Sequence, residues 1–321
     1  MYEPLSLTTL LDGPTEINWV VEPFVPPTST ILLAGHSGVG KTWLSLDLAL
    51  SIAGGRPWLG RFPVRQGPVL VVDEENSELL LRTRLLKLLQ SHRLDPKELP
   101  LFFLVGQMVN LSPEKPAYAR DLLSCEQLLK TIHQIEPILV IFDSLTRCHR
   151  SNENSANEMA AVFANVKHLV DITGTSCLFN HHFRKSGGGS NRSGDRIRGS
   201  TDIRAFCDVT LLVDDRGGGC AITHDKSRWS EPIPSFNVDF QVGEDAFALS
   251  YAGERKINGR QQVVWDHLEK VLAAGPLSRK DLLARCESVC AERLLDRVLK
   301  QQSDLLCKHR IGKEVFYSLV T

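Results

Sequence analysis

Gly35-His36-Ser37-Gly38-Val39-Gly40-Lys41-Thr42 fills every fixed position of the pattern G-x-x-x-x-G-K-[ST], and these residue types suit a polyphosphate. Glycines let backbone N–H groups turn toward phosphate oxygens, and a helix opening at the end of the loop adds partial positive charge. Gly35, Ser37, Gly38, Val39 and Gly40 are therefore expected to cradle the phosphates. Lys41 would reach the β/γ-phosphates and the Thr42 hydroxyl would ligate Mg²⁺. MgATP is the expected cofactor.

Three further polar sets end apolar runs. Asp143 closes Ile138-Leu139-Val140-Ile141-Phe142, where an aspartate can hold the Mg²⁺ of a bound nucleotide together with Thr42. Asp73-Glu74-Glu75-Asn76 closes Val69-Leu70-Val71-Val72. A carboxylate at that tip can act as general base on an attacking water, although the same acids suit helix capping ahead of Ser77. Asn180-His181-His182 closes Ser176-Cys177-Leu178-Phe179, and a polar residue there can sense the γ-phosphate.

Delivering these groups to one place requires parallel strands alternating with helices. Thr30–Ala34, Val69–Asp73, Leu101–Val105, Ile138–Asp143 and Ser176–Asn180 read as strands apolar on both faces. Helical spacing occupies 43–50, 77–92, 118–135 and 157–172, which gives an α/β fold with a mostly parallel sheet between helices. Shorter strand-like runs at 209–213, 220–224, 236–238 and 246–251 predict an antiparallel extension of the same sheet. Residues 1–29, punctuated by proline, read as an N-terminal arm, with Trp19-Val20-Val21 a short strand. The ATPase domain is expected over 30–254, and a linker at 255–259 leads to a separate domain over 258–321. There, three helical patterns and two β-like segments outline a winged helix.

The 321 residues are 42% hydrophobic and 23% charged with a formal net charge of −1, the balance of a soluble globular protein. No apolar run has the length of a membrane span, and the first residues lack a secretory pattern. Eight cysteines without C-x-x-C pairing are expected as reduced thiols, hence a cytoplasmic location and no membrane partner.

The order of these motifs resembles the RecA-type ATPase core, and more narrowly the RepA-like hexameric replicative helicases and related AAA ATPases. The likeness spans residues 15–250 and is carried by Gly67-Pro68-Val69-Leu70, Glu75-Asn76, Asp143-Ser144-Leu145, His181-His182 and Arg198-Gly199-Ser200. It implies that Glu75 is the catalytic glutamate, His182 the γ-phosphate sensor, and Arg84 a residue that stacks on adenine. The chain departs from those helicases near Asp208, where they carry a trans-acting arginine. Lys226-Ser227-Arg228 instead resembles the paired Lys-x-Arg finger of DnaB-type and KaiC-type ATPases, so Lys226 and Arg228 would serve a neighbouring subunit in a hexameric ring.

In such motors the loops after the Asp and sensor strands line a channel for single-stranded DNA. Here these loops carry Arg147 and Arg150, then Arg184, Lys185, Arg192, Arg196 and Arg198, cations suited to a phosphate backbone. In the terminal domain Arg293, Arg297 and Lys300 share one helical face that suits duplex DNA. The resulting expectation is an ATP-hydrolysing helicase or translocase in replication of a plasmid, phage or mobile element. An ATP-dependent DNA-binding regulator without unwinding activity and a KaiC-like signalling ATPase are the competing expectations.

Overall fold

Every residue of Thr30–Gly35 (β1) is buried, which requires helices on both sides of the strand. In the computed structural model, which describes residues 4–112, 125–184, 196–199, 201–255, 259–302, 305–312 and 314–319, β1 lies within a nine-stranded sheet. Ile31 and Leu33 enter one hydrophobic layer while Leu32 and Ala34 enter the other, following the two-residue period of a strand.

The chain divides into two units, Met1–Arg255 and Lys256–Thr321. The first begins with Leu7–Leu11 (α1), β1, Lys41–Ala53 (α2), Val69–Asp73 (β2), Glu78–His92 (α3) and Leu101–Val105 (β3). Cys125–Ile135 (α4), Leu139–Asp143 (β4), Ala156–Thr173 (α5), Ser176–His182 (β5) and Thr201–Phe206 (α6) follow. Val209–Asp215 (β6), Gly219–Ser227 (β7), Phe236–Val242 (β8) and Phe247–Glu254 (β9) complete it. Strand order is β3-β2-β4-β5-β1-β6-β7-β8-β9, parallel from β3 to β6 and antiparallel beyond.

Register brings the polar strand ends together. Gly35 pairs with His182, and Asp73 pairs with Asp143, so four strands finish on one edge of the sheet. Carboxyl ends of parallel strands are where open α/β sheets bind ligands. Helix α2 starts beside that edge and is buried along nearly its whole length. Ser77 caps α3 and Ser155 caps α5, each accepting a backbone N–H at 3.4 Å.

The arm expected at 1–29 differs in its second half. Val20, Val21, Phe24 and Val25 are at most 1% exposed and belong to the main core. Trp19–Val21 forms no strand, because Val21 makes only isolated bridges to Val25 and Val64. Burial of four apolar side chains prevails there over the extended pattern. The first seven residues of the helix expected from 118 lie outside the described residues, and α4 covers the rest.

The second unit contains Gly259–Leu272 (α7), Leu277–Ser278 (β10), Arg279–Cys286 (α8), Glu292–Gln301 (α9), Leu306–Ile311 (β11) and Glu314–Leu319 (β12). Leu268, Leu282, Leu295 and Val298 form its core, and its strands are ordered β10-β12-β11. Among the described residues no helix is long and apolar enough to cross a membrane.

Candidate active site

Between β1 and α2 the chain turns sharply, and two glycines make the turn. Gly38 and Gly40 have φ of 81° and 98°, conformations that L side chains resist. A Cβ on Gly40 would also lie 2.7 Å from the Phe240 ring. Val39 is buried and anchors the loop, while His36, Ser37 and Gly38 are exposed at its mouth. Lys41 closes it, donating to the carbonyls of Gly35 at 3.0 Å and His36 at 2.9 Å. Burial lowers the Lys41 pKa, and the carboxylates of Asp143 and Glu75 act in the opposite direction.

One residue further, the Thr42 hydroxyl donates to Asp143 Oδ2 at 2.6 Å. Asp143 is 4% exposed, and its burial raises its pKa, with the Thr42 hydrogen bond opposing and the Asp73 charge adding to the rise. Asn180, whose amide donates to Ser45 Oγ at 3.0 Å, also favours the charged form. A hydroxyl oxygen beside a buried carboxylate is a hard-oxygen pair that fits Mg²⁺, which would offset the desolvated charge. Thr42 and Asp143 are the residues that would hold it.

The two glutamates after β2 have opposite surroundings. Both oxygens of Glu74 accept backbone N–H groups, from Met108 at 3.1 Å and Val109 at 3.0 Å, so Glu74 fastens the segment after β3. Asp73 turns the chain by accepting from the backbone of Glu75 and Asn76. Glu75 consequently faces the phosphate loop, 3.7 Å from His182 Nε2. Interaction with His182 holds its carboxyl at about 2, with burial opposing and Ser144 and Lys41 assisting. His182 Nδ1 is 3.5 Å from Lys41 Nζ, so lysine, imidazole and carboxylate face one another across the loop.

On the other flank, Arg84 donates to Asn76 Oδ1 at 3.0 Å and lies over the Trp43 ring at 5.6 Å. Trp43 stacks on Phe247, and Phe240 packs between Phe247 and Gly40. These rings were not expected from sequence, because β8 and β9 approach the loop only in the folded sheet.

Lys226 and Arg228 lie elsewhere. Lys226 Nζ donates to the carbonyls of Arg204, Ala205 and Cys207 at 2.6–2.9 Å, capping the end of α6. Arg228 bonds the Ala205 carbonyl at 2.7 Å and Asp208 Oδ1 at 3.0 Å. Its backbone bonds Asp208, which bonds Thr30, so Arg228 stands level with the start of β1. That is roughly 16 Å along the strand from Gly35, at the opposite sheet edge from the phosphate loop.

Three basic residues of the segment after β5 are engaged within the protein. Arg184 bonds the carbonyls of Ile197 and Gly199, and Arg196 pairs with Asp214 and covers the Phe183 ring. Phe183 in turn meets His36 of the phosphate loop edge-on at 5.1 Å. Arg198 pairs with Glu153 at 3.1 Å, and the same buried carboxylate accepts the Thr146 hydroxyl at 2.6 Å. The Arg198 carbonyl holds His181 Nε2 at 2.8 Å, next to His182. Glu153 was missed because only tertiary structure joins the segments after β4 and β5. Arg147 and Arg150 are exposed, and Lys185 and Arg192 lie outside the described residues. In the second unit Arg293, Arg297 and Lys300 are exposed on α9, whose acids Glu292 and Asp296 both pair with Arg279.

A family model described as an AAA domain matches residues 2–188, more than half of the chain. The match takes in the phosphate loop, both acidic strand ends and the His181-His182 pair. With the loop, the metal-suited pair and a carboxylate facing Lys41 and His182 already assembled on one sheet edge, the chain belongs to the AAA domain family of P-loop ATPases.

Proposed function

We propose that this ATPase is a motor, a RecA-fold helicase or translocase of the RepA-like group, acting on DNA in replication of a plasmid, phage or mobile element. Glu75 orients and deprotonates the attacking water, and Lys41 with the loop amides neutralises charge on the transferring phosphoryl group. Thr42 and Asp143 hold the Mg²⁺, and Arg84 stacks on the adenine. His182 responds to the γ-phosphate and passes its movement through His181 and Arg198 to the two basic loops. The observation that carries the reading is the separation of Lys226 and Arg228 from their own phosphate loop by the length of β1. Cations at that edge do not reach their own subunit's phosphates, which accords with service to a neighbouring subunit's site in a hexameric ring.

Single-stranded DNA in the ring's channel would meet Arg147, Arg150, Arg184, Lys185, Arg192, Arg196 and Arg198. The second unit acts as a winged-helix domain that lays Arg293, Arg297 and Lys300 along duplex DNA. Pairing of Arg279 with Glu292 and Asp296 supports that role by neutralising the acids on the same helix. A cytoplasmic setting accords with free thiols at all eight cysteines. Steady-state ATP turnover with and without single-stranded DNA tests the reading, together with strand displacement on a forked duplex. Stimulated turnover with unwinding is expected, whereas turnover indifferent to DNA would overturn it.

Engagement of Arg184, Arg196 and Arg198 in intramolecular contacts favours a second reading, an ATP-dependent DNA-binding regulator. Its signature is ATP-dependent retention of the forked duplex without strand separation.

A further inference from the structure

Glu153 takes no part in the chemistry at the phosphate loop, yet its side chain is only 8% exposed. It lies between the segments that follow β4 and β5. From the first, the Thr146 hydroxyl donates to Oε1 at 2.6 Å, and His149 Nε2 stands 3.9 Å from the same oxygen. From the second, Arg198 Nε reaches Oε2 at 3.1 Å, and a Cβ on Gly199 would lie 2.8 Å from the Glu153 carbonyl oxygen. A buried carboxylate needs a counter-ion. Here one cation is bound and a second candidate stands beside it.

The two differ in what they can reach. Arg198 is 55% exposed, so its guanidinium remains open to an anion in solvent. The His149 side chain is 1% exposed, and neither ring nitrogen makes a full hydrogen bond, although the Ser151 backbone favours its charged form. Burial lowers the His149 pKa and the Glu153 charge opposes that, which leaves the ring neutral at pH 7 while Arg198 balances the carboxylate. From β5 the cluster is faced by His181, whose pKa burial also lowers and whose Nε2 meets the Arg198 carbonyl at 2.8 Å.

We propose that Glu153 is a positioning residue that exchanges partners: a phosphate of single-stranded DNA draws Arg198 away, and His149 takes up a proton and replaces it as the counter-ion. The identity of the anion rests on the proposed action on DNA; the exchange itself rests on the cluster. Arg198 keeps its charge and moves to the phosphate, while a proton passes from solvent to the His149 ring and leaves the buried carboxylate paired. Because the Arg198 carbonyl holds His181 next to His182, displacement of Arg198 is felt at the γ-phosphate sensor. One carboxylate thereby ties the DNA-binding segment to the nucleotide. Binding that takes up a proton strengthens as pH falls, by up to about tenfold per pH unit.

Two measurements on the full chain test this, and the first uses no DNA. In Arg198→Ala the carboxylate has lost its cation, so the His149 ring should titrate at or above about pH 6.5, the ordinary value, whereas in wild type it should stay neutral there. NMR of isotope-labelled histidine follows the ring, with His149→Gln to assign its signal. The second measurement is calorimetry in buffers of different ionisation enthalpy, as a single-stranded oligonucleotide binds in the presence of Mg²⁺ and a slowly hydrolysed ATP analogue. Wild type should take up as much as about one proton per engaged subunit, and the isosteric Glu153→Gln, which needs no counter-ion, should lose that uptake. A His149 ring that stays neutral in Arg198→Ala, or equal uptake in wild type and Glu153→Gln, would overturn the exchange. Titration as expected in a protein that binds no oligonucleotide would uphold the exchange and contradict the action on DNA instead.

Discussion

At the scale of single residues, Glu75 owes its chemistry to its neighbours. With its pKa held at about 2 by the facing imidazole, it is ionised throughout the range in which the protein would be assayed. ATP turnover should therefore show no acid limb from Glu75 between pH 5 and 8. Replacing His182 by Ala removes the largest cause of the depression and moves that limb up toward 4.5, the ordinary value. A pH–rate profile of the two proteins checks this; an unchanged acid limb in His182→Ala would contradict it. The same pairing favours the folded state above about pH 4.5, and that contribution disappears as pH falls toward 2. For Lys41→Ala, which takes away the cation spanning the loop, ATP turnover should fall to background.

Helix α2 shows at the scale of elements how the loop is held. Its Asp47, 1% exposed, meets His92 of the last turn of α3 at 2.7 Å. Burial raises the Asp47 pKa, and the His92 hydrogen bond restrains the rise. His92→Ala should cost roughly 3 kcal/mol at pH 7, since a buried carboxylate loses its partner. The loss should shrink as pH falls and Asp47, its pKa raised by burial, takes up a proton, which denaturation curves over a pH series would measure. A loss that is the same at every pH would mean that the charge is not the cause. The strand-end residues that make the site were legible in the sequence because their chemistry is local: a glycine pattern, and polar residues closing apolar runs. Choosing Glu75 over Glu74 by contact was not legible, for it depends on amides of Met108 and Val109 more than thirty residues away. Phe240 behind Gly40 and Glu153 between two loops were hidden for the same reason. Exposed leucines in α1 carry no periodic signal that separates them from core residues.

For the whole molecule, the separation of Arg228 from Lys41 predicts complementation between chains. Lys41→Ala and Arg228→Ala proteins, each nearly inactive, should recover turnover when mixed, because some neighbours pair an intact loop with an intact cation. Turnover equal to the sum of the separate proteins would argue for self-sufficient subunits. Neutralising Arg293, Arg297 and Lys300 together should weaken duplex binding and flatten the slope of log affinity against log salt by up to about 3. The most direct measurement compares ATP affinity and single-turnover hydrolysis in wild type, Glu75→Gln and Glu74→Gln. The assembled site predicts that Glu75→Gln binds ATP about as tightly as wild type but hydrolyses it at least about a hundredfold more slowly. Glu74→Gln should retain most of the rate, because its carboxylate is spent on the backbone of residues 108 and 109. Hydrolysis preserved in Glu75→Gln would contradict the account.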